Sequence, residues 1–195
     1  MNKLGDLSCN EFLTELASAA PAPGGGGGAA MAGALAAALA SMVANLTIGK
    51  EKFAECEPEV KELLKQAEAE RVRLLTLVDE DAAVFNSFMS CYKLPKTTDE
   101  EKAARTAAIR AAAKQAATVP LNIARSSFAV LKLADRLVVA GNPGVITDGA
   151  CSGLLARAAL RCAEYNVRIN LGLTKDEVWN AQAAADLKQL LADAE

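Results

Sequence analysis

The chain has 195 residues, of which 52% are hydrophobic, 23% charged and only 4% aromatic, with a formal net charge of −3. That length accommodates one domain with a core of its own, and the charge balance lacks the clustered Lys and Arg that binding to nucleic acid demands. Histidine is absent, which excludes Ser-His-Asp and Cys-His catalysis and His-based zinc or di-iron sites, so acid–base chemistry falls to carboxylates, Lys, Tyr, Cys or bound water.

In chain order, Ser8 or Asn10 can cap a first helix that reaches about Ala20, with Phe12, Leu13 and Leu16 on one apolar stripe. Pro21, Ala22 and Pro23 stop it, and the five glycines from Gly24 to Gly28 read as a flexible turn. A second helix is predicted from about Ala29 to Ile48, apolar on nearly every face, with Gly49 just past its end. No charged residue lies between Gly24 and Gly49, a stretch long enough to cross a bilayer. Its glycine-rich start and its alanines instead suit a buried core or interface helix, and Asp6, Glu11 and Glu15 ahead of it are wrong for a secretory signal. No membrane association is expected.

After Pro58 the longest periodic run extends to about Tyr92 and is broken by Leu94-Pro95. Thr98 and Glu101 form a capping box that opens a helix to about Thr118, and Pro120 suits the first turn of another, ending near Ala140. Gly141-Asn142-Pro143-Gly144 is a turn, Thr147 or Asp148 caps a further helix that Gly172 ends, and Thr174 with Glu177 opens the last. No run alternates at period two for long enough to form a sheet. The prediction is an all-α, single-domain bundle of about six to seven helices spanning the whole chain. The five cysteines, Cys9, Cys56, Cys91, Cys151 and Cys162, are odd in number and widely spaced. They read as buried reduced thiols in a cytoplasmic protein.

Asp81 is the candidate for chemistry. On the third helix it shares a stripe with Leu74, Leu77, Val78, Val84, Phe85 and Phe88, so its carboxylate is aimed inward. An unpaired buried carboxylate is costly, and desolvation raises its pKa towards the range a general acid or base needs. A structural Asp bonded to a neighbouring helix end fits the same pattern. Asp79, two residues away, falls nearly on the opposite side and is not expected to form a dyad with it. Asp135 is a weaker candidate, better explained by pairing with Lys132 or Arg136. The Pro-Ala-Pro-Gly segment running into a helix is a natural place for an anion, although close helix packing also uses glycine. Lys50 could meet a carboxylate or phosphate, or simply favour the negative end of the preceding helix. Asn166 and Asn170 share one face, as residues four apart do, and Asn142 and Asp148 lie around the preceding turn. Asp148 is most simply an N-cap.

In order along the chain, Pro21-Ala-Pro-Gly-Gly-Gly, Ser41-Met-Val-Ala-Asn-Leu-Thr-Ile-Gly-Lys50, Val78-Asp-Glu-Asp-Ala-Ala-Val-Phe85, Leu94-Pro-Lys, Val119-Pro-Leu, Gly141-Asn142, Thr147-Asp148 and Asn166-Val-Arg-Ile-Asn170 resemble the cyclodeaminase/cyclohydrolase family. That family includes the C-terminal half of formiminotransferase-cyclodeaminase and stand-alone bacterial proteins of about this size. Thr147 stands where the family pattern has Ser, and Gly27 where it often has Ser. The resemblance implies an all-α homodimer acting on tetrahydrofolate one-carbon adducts, the folate being the substrate, with no further cofactor or metal. It implies that Asp81 is the catalytic carboxylate. It also implies that Pro23, Gly24, Gly25, Gly26, Lys50, Asn142, Asp148, Asn166 and Asn170 hold the pterin or glutamate portions. Two reactions are consistent with it: hydrolysis of 5,10-methenyltetrahydrofolate to 10-formyltetrahydrofolate, and conversion of 5-formiminotetrahydrofolate to the methenyl compound with loss of ammonia. With no formiminotransferase segment on the chain, the cyclohydrolase is the expected activity. A non-catalytic folate-binding or scaffold dimer is the alternative of another class.

Overall fold

The computed structural model describes residues 3–195. A short 3-10 segment (Leu4–Asp6) leads into α1 (Cys9–Leu16), followed by α2 (Gly25–Asn45), α3 (Glu57–Cys91), α4 (Asp99–Ala140), α5 (Ile146–Thr174) and α6 (Glu177–Asp193). The architecture is all-α, with no strand among the described residues.

Side-chain caps account for three of the six α-helix starts described. Ser8 and Glu11 make a reciprocal capping box on α1, and Thr98 and Glu101 make one on α4. α1 ends at Leu16, short of the predicted Ala20, and of its apolar stripe Phe12 is buried while Leu13 is exposed. α6 is capped by Asp176, which accepts from the Trp179 N–H at 3.0 Å, rather than by Thr174. α5 runs past Gly172 to Thr174 before Lys175 turns left-handed at φ 56°.

Two helices depart from expectation. α2 starts at Gly25, so four of the five glycines are helical instead of forming a turn. Glycine is a poor helix former, and tertiary contacts override that preference: Gly26 and Gly27 are buried against α3. α4 is one helix of 42 residues with Pro120 inside it, where two helices were predicted. Proline lacks the N–H that would bond the carbonyl four residues back. Here that carbonyl, Ala116 O, accepts instead from the Asn170 side-chain amide of α5 at 2.7 Å. A side chain from the neighbouring helix thus fills the gap in the ladder.

α2 is long and apolar enough to cross a membrane, yet 61% of its apolar window is buried inside the protein. It packs against α3, α4 and α5, which supply the surrounding protein that an all-apolar helix requires. One buried cluster, including Ala30, Leu74, Val78, Ile123, Leu160 and Val167, occupies the half of the bundle at the start of α2. A second, with Val43, Val60, Leu63 and Leu137, occupies the other half. Each fully buried Leu or Val contributes about 1.5–3 kcal/mol.

Candidate active site

α2 and α3 cross at the glycine-rich start of α2. The Asp81 carboxylate lies there against Gly26, so close that a Cβ on Gly26 would sit 2.2 Å from Asp81 Oδ1. Only glycine leaves room for the carboxylate at the helix N-terminus, where backbone N–H groups and the dipole favour negative charge. Burial pushes the Asp81 carboxyl above the usual carboxylate range, and the Gly27 N–H offsets part of that rise. Asp79 points elsewhere and accepts from the Leu4 N–H at 2.5 Å, so it is engaged in holding the N-terminal segment and forms no dyad with Asp81.

Asp81 opens into a cavity of about 330 Å³ between α2, α3, α4 and α5. Gly24, Gly25 and Gly26 form one wall, Phe85 and Phe88 of α3 another, and Asn166 and Asn170 of α5 a third. The size and mixed lining suit a small molecule with an aromatic body and a few polar groups. The Asn166 amide donates to Cys162 O at 2.9 Å and lies against Gly25. The apolar residues Phe85 and Phe88 stood out in the sequence as members of the Asp81 stripe, and Phe85 also closes the Val78–Phe85 motif. Of Ala116 and Val119, which line the cavity from α4, Val119 stands in the quoted Val119-Pro-Leu motif and Ala116 had no sequence signal.

Four of the predicted binding residues lie elsewhere. Pro23 is buried behind the wall, packed on Gly27, and Pro21 and Ala22 line the cavity in its place. Lys50, Asn142 and Asp148 belong to the opposite end of the bundle, beyond the C-terminus of α2, whose 21 residues span about 30 Å. Asn142 is fully engaged there: its N–H donates to Thr47 Oγ1 at 2.9 Å and its amide to Leu46 O at 3.1 Å, and its Oδ1 accepts from the Gly144 N–H at 3.0 Å. It ties the end of α2 to the α4–α5 turn. Asp148 lies within the first turn of α5, whose N-cap position is Val145, so it is not the cap. Lys50 is exposed at the start of a short 3-10 turn (Glu51–Phe53). Asp135 is an exposed surface residue, and Arg136 pairs with Glu59 of α3 rather than with it.

A helical bundle carrying one desolvated carboxylate under a glycine-rich helix start, with two asparagines across an aromatic-walled cavity, defines a class of small-molecule site without histidine or a nucleophilic triad. A family model described as formiminotransferase-cyclodeaminase matches residues 8–189, and the chain belongs to that family. It is 44% identical over 190 residues to methenyltetrahydrofolate cyclohydrolase of Methylorubrum extorquens, covering 97% of this chain and 91% of that one. It is 33% identical over 183 residues to the formimidoyltransferase-cyclodeaminase of Sus scrofa, covering 94% of this chain and only 34% of that longer protein. The crystal structure of formiminotetrahydrofolate cyclodeaminase from Thermotoga maritima superposes with a TM-score of 0.87 at 30% identity, over 97% of this chain and 90% of that one.

Proposed function

We propose that the protein is a folate one-carbon enzyme that hydrolyses 5,10-methenyltetrahydrofolate to 10-formyltetrahydrofolate, with Asp81 as its acid–base group. The observation that carries the reading is the Asp81 carboxylate, desolvated against Gly26 and open to a cavity walled by aromatic rings and amides. The near full-length similarity to a stand-alone cyclohydrolase favours hydrolysis over deamination. The similarity to a cyclodeaminase of nearly the same extent supports deamination as the second reading.

In the proposed reaction, water adds to the cationic carbon between N5 and N10 and gives a proton to Asp81 as the C–O bond forms. The ionised carboxylate also stabilises the positive carbon beforehand. The neutral hydroxyl adduct then collapses: its hydroxyl proton leaves as C=O forms, the C–N5 bond breaks, and N5 takes up a proton. One proton is released overall, and neither metal nor organic cofactor is required. In the deamination, the same carboxyl would take the N10 proton and give one to the departing ammonia. Purified protein is expected to accelerate the loss of near-ultraviolet absorbance of the methenyl compound. Inactivity there, with appearance of that absorbance from 5-formiminotetrahydrofolate, would assign the deaminase. Inactivity in both would leave a binding or scaffold role.

The active form is proposed to be a homodimer. α2 and α5 lie side by side, joined by the Ser152 hydroxyl bond to Ala36 O at 2.7 Å. Together they expose the large apolar residues Leu35, Met42, Leu154, Tyr165 and Ile169, with Leu154, Tyr165 and Ile169 each about 70% exposed. Lys50 and Asp148 can reach a substrate at Asp81 only from a second copy paired in the opposite direction across such a face. A cytoplasmic location is proposed on the five cysteines, all free of disulfides; contrary to expectation none is buried, with Cys9, Cys151 and Cys162 exposed and Cys56 and Cys91 half-buried.

A further inference from the structure

Pro120 and the two cavity asparagines share a feature that the proposed chemistry does not use. Proline at 120 leaves Ala116 O without its helical donor, and the Asn170 amide occupies that carbonyl at 2.7 Å. The Asn166 amide is likewise engaged, with Cys162 O at 2.9 Å. A carbonyl oxygen can only accept, so each asparagine must present its NH₂ to the backbone and keep its Oδ1 as the remaining polar atom. Neither Oδ1 has a hydrogen-bond partner among the described residues, and both residues line the Asp81 cavity. The cavity therefore holds a pair of fixed acceptors one helical turn apart, about 5–6 Å between their Cβ atoms.

We infer that this pair accepts the two N–H bonds of the exocyclic amino group on the substrate's fused pyrimidine ring, and that Pro120 acts as a positioning residue by locking Asn170 in its acceptor orientation. The inference rests on the folate reading above. The two hydrogens of a trigonal amino group diverge, so acceptors at normal hydrogen-bond distance from it stand about 5 Å apart, a separation that side chains one helical turn apart can span. A ring carrying a donor at that position is selected over one that lacks it, because an acceptor covered by the bound ring and left unmatched is costly.

The test uses a tetrahydrofolate analogue in which the 2-amino group is replaced by methyl. Dissociation constants for the analogue and the parent folate are measured by calorimetry on the wild type and on Asn170→Ala, Asn166→Ala and Pro120→Ala. The wild type is expected to bind the analogue roughly ten- to a hundredfold more weakly than the parent. That discrimination should shrink to within a few-fold in either asparagine variant. Pro120→Ala restores the backbone donor, releases the Asn170 amide and should lower discrimination with an unchanged or higher melting temperature, since alanine favours the helix. A Pro120 of purely structural importance would lower the melting temperature and leave discrimination intact. Equal discrimination in the wild type and both asparagine variants would overturn the inference while leaving the folate reading standing; failure of the wild type to bind either folate would overturn that reading instead.

Discussion

Asp81 shows how a single carboxyl carries both a cost and a function. Its pKa is raised in the folded protein by burial, so ionisation is harder folded than unfolded, and stability falls as pH rises from the ordinary aspartate value near 3.8 through the raised folded value. Asp81→Asn, neutral at every pH, is therefore expected to melt higher than the wild type at neutral pH, with the difference closing in acid below the ordinary value. Melting curves across pH check this, and a constant difference at all pH values would contradict desolvation as the cause. Gly26 is the complementary residue. Gly26→Ala places a methyl 2.2 Å from Asp81 Oδ1, so the carboxylate must move. Turnover is expected to fall by on the order of a hundredfold, the usual result of displacing a catalytic group by about 1 Å, while circular dichroism stays helical. Asp81 was legible in the sequence because seven positions on one helical stripe included a single charge. Its partner was not, because a glycine run reads as flexible until a neighbouring side chain is known to fill the space beside it.

Among the elements, the legible features were those whose cause is local. The Thr98–Glu101 capping box, a cap at Ser8, the long α3 and the buried character of α2 follow from residues within a turn or two of each other. The continuous α4 and the helical glycines of α2 depend on partners distant in sequence: Asn170 for the Pro120 gap, α3 for Gly26. For the same reason Asn142 was read as a binding residue. Its turn is obvious from the sequence, but its bonds to Thr47 and Leu46 join segments about 95 residues apart. Asn142→Ala would remove the bonds to Leu46 O and to the Gly144 N–H, both only part-buried. It should cost about 0.5–1.5 kcal/mol of stability for each, read as a lower urea midpoint with activity per folded molecule retained. Loss of activity without loss of stability would return Asn142 to the binding site.

For the whole molecule, the residues expected to bind substrate divide between two ends of the bundle. The Asp81 cavity takes Gly24, Gly25, Gly26, Asn166 and Asn170, and Lys50 and Asp148 lie a helix length away. Order along the chain cannot reveal this, since residues adjacent in a motif pattern are separated once α2 and α5 run their full lengths. The exposed apolar face on α2 and α5 offers the proposed route by which two copies could reunite the ends. Leu154→Glu, a charge at one of the most exposed apolar positions of that face, is expected to convert a dimer to a monomer in sedimentation experiments and to lower activity. A wild type that sediments as a monomer at micromolar concentration would contradict the pairing.

The most direct test of the central claim compares wild type and Asp81→Asn in the hydrolysis of 5,10-methenyltetrahydrofolate, followed by its near-ultraviolet absorbance. The expected result is a wild type well above the spontaneous rate and a variant at the spontaneous rate, with an unchanged helical spectrum and retained folate binding. A folded Asp81→Asn protein that turns over at the wild-type rate would contradict the assignment of Asp81 as the proton-transferring group.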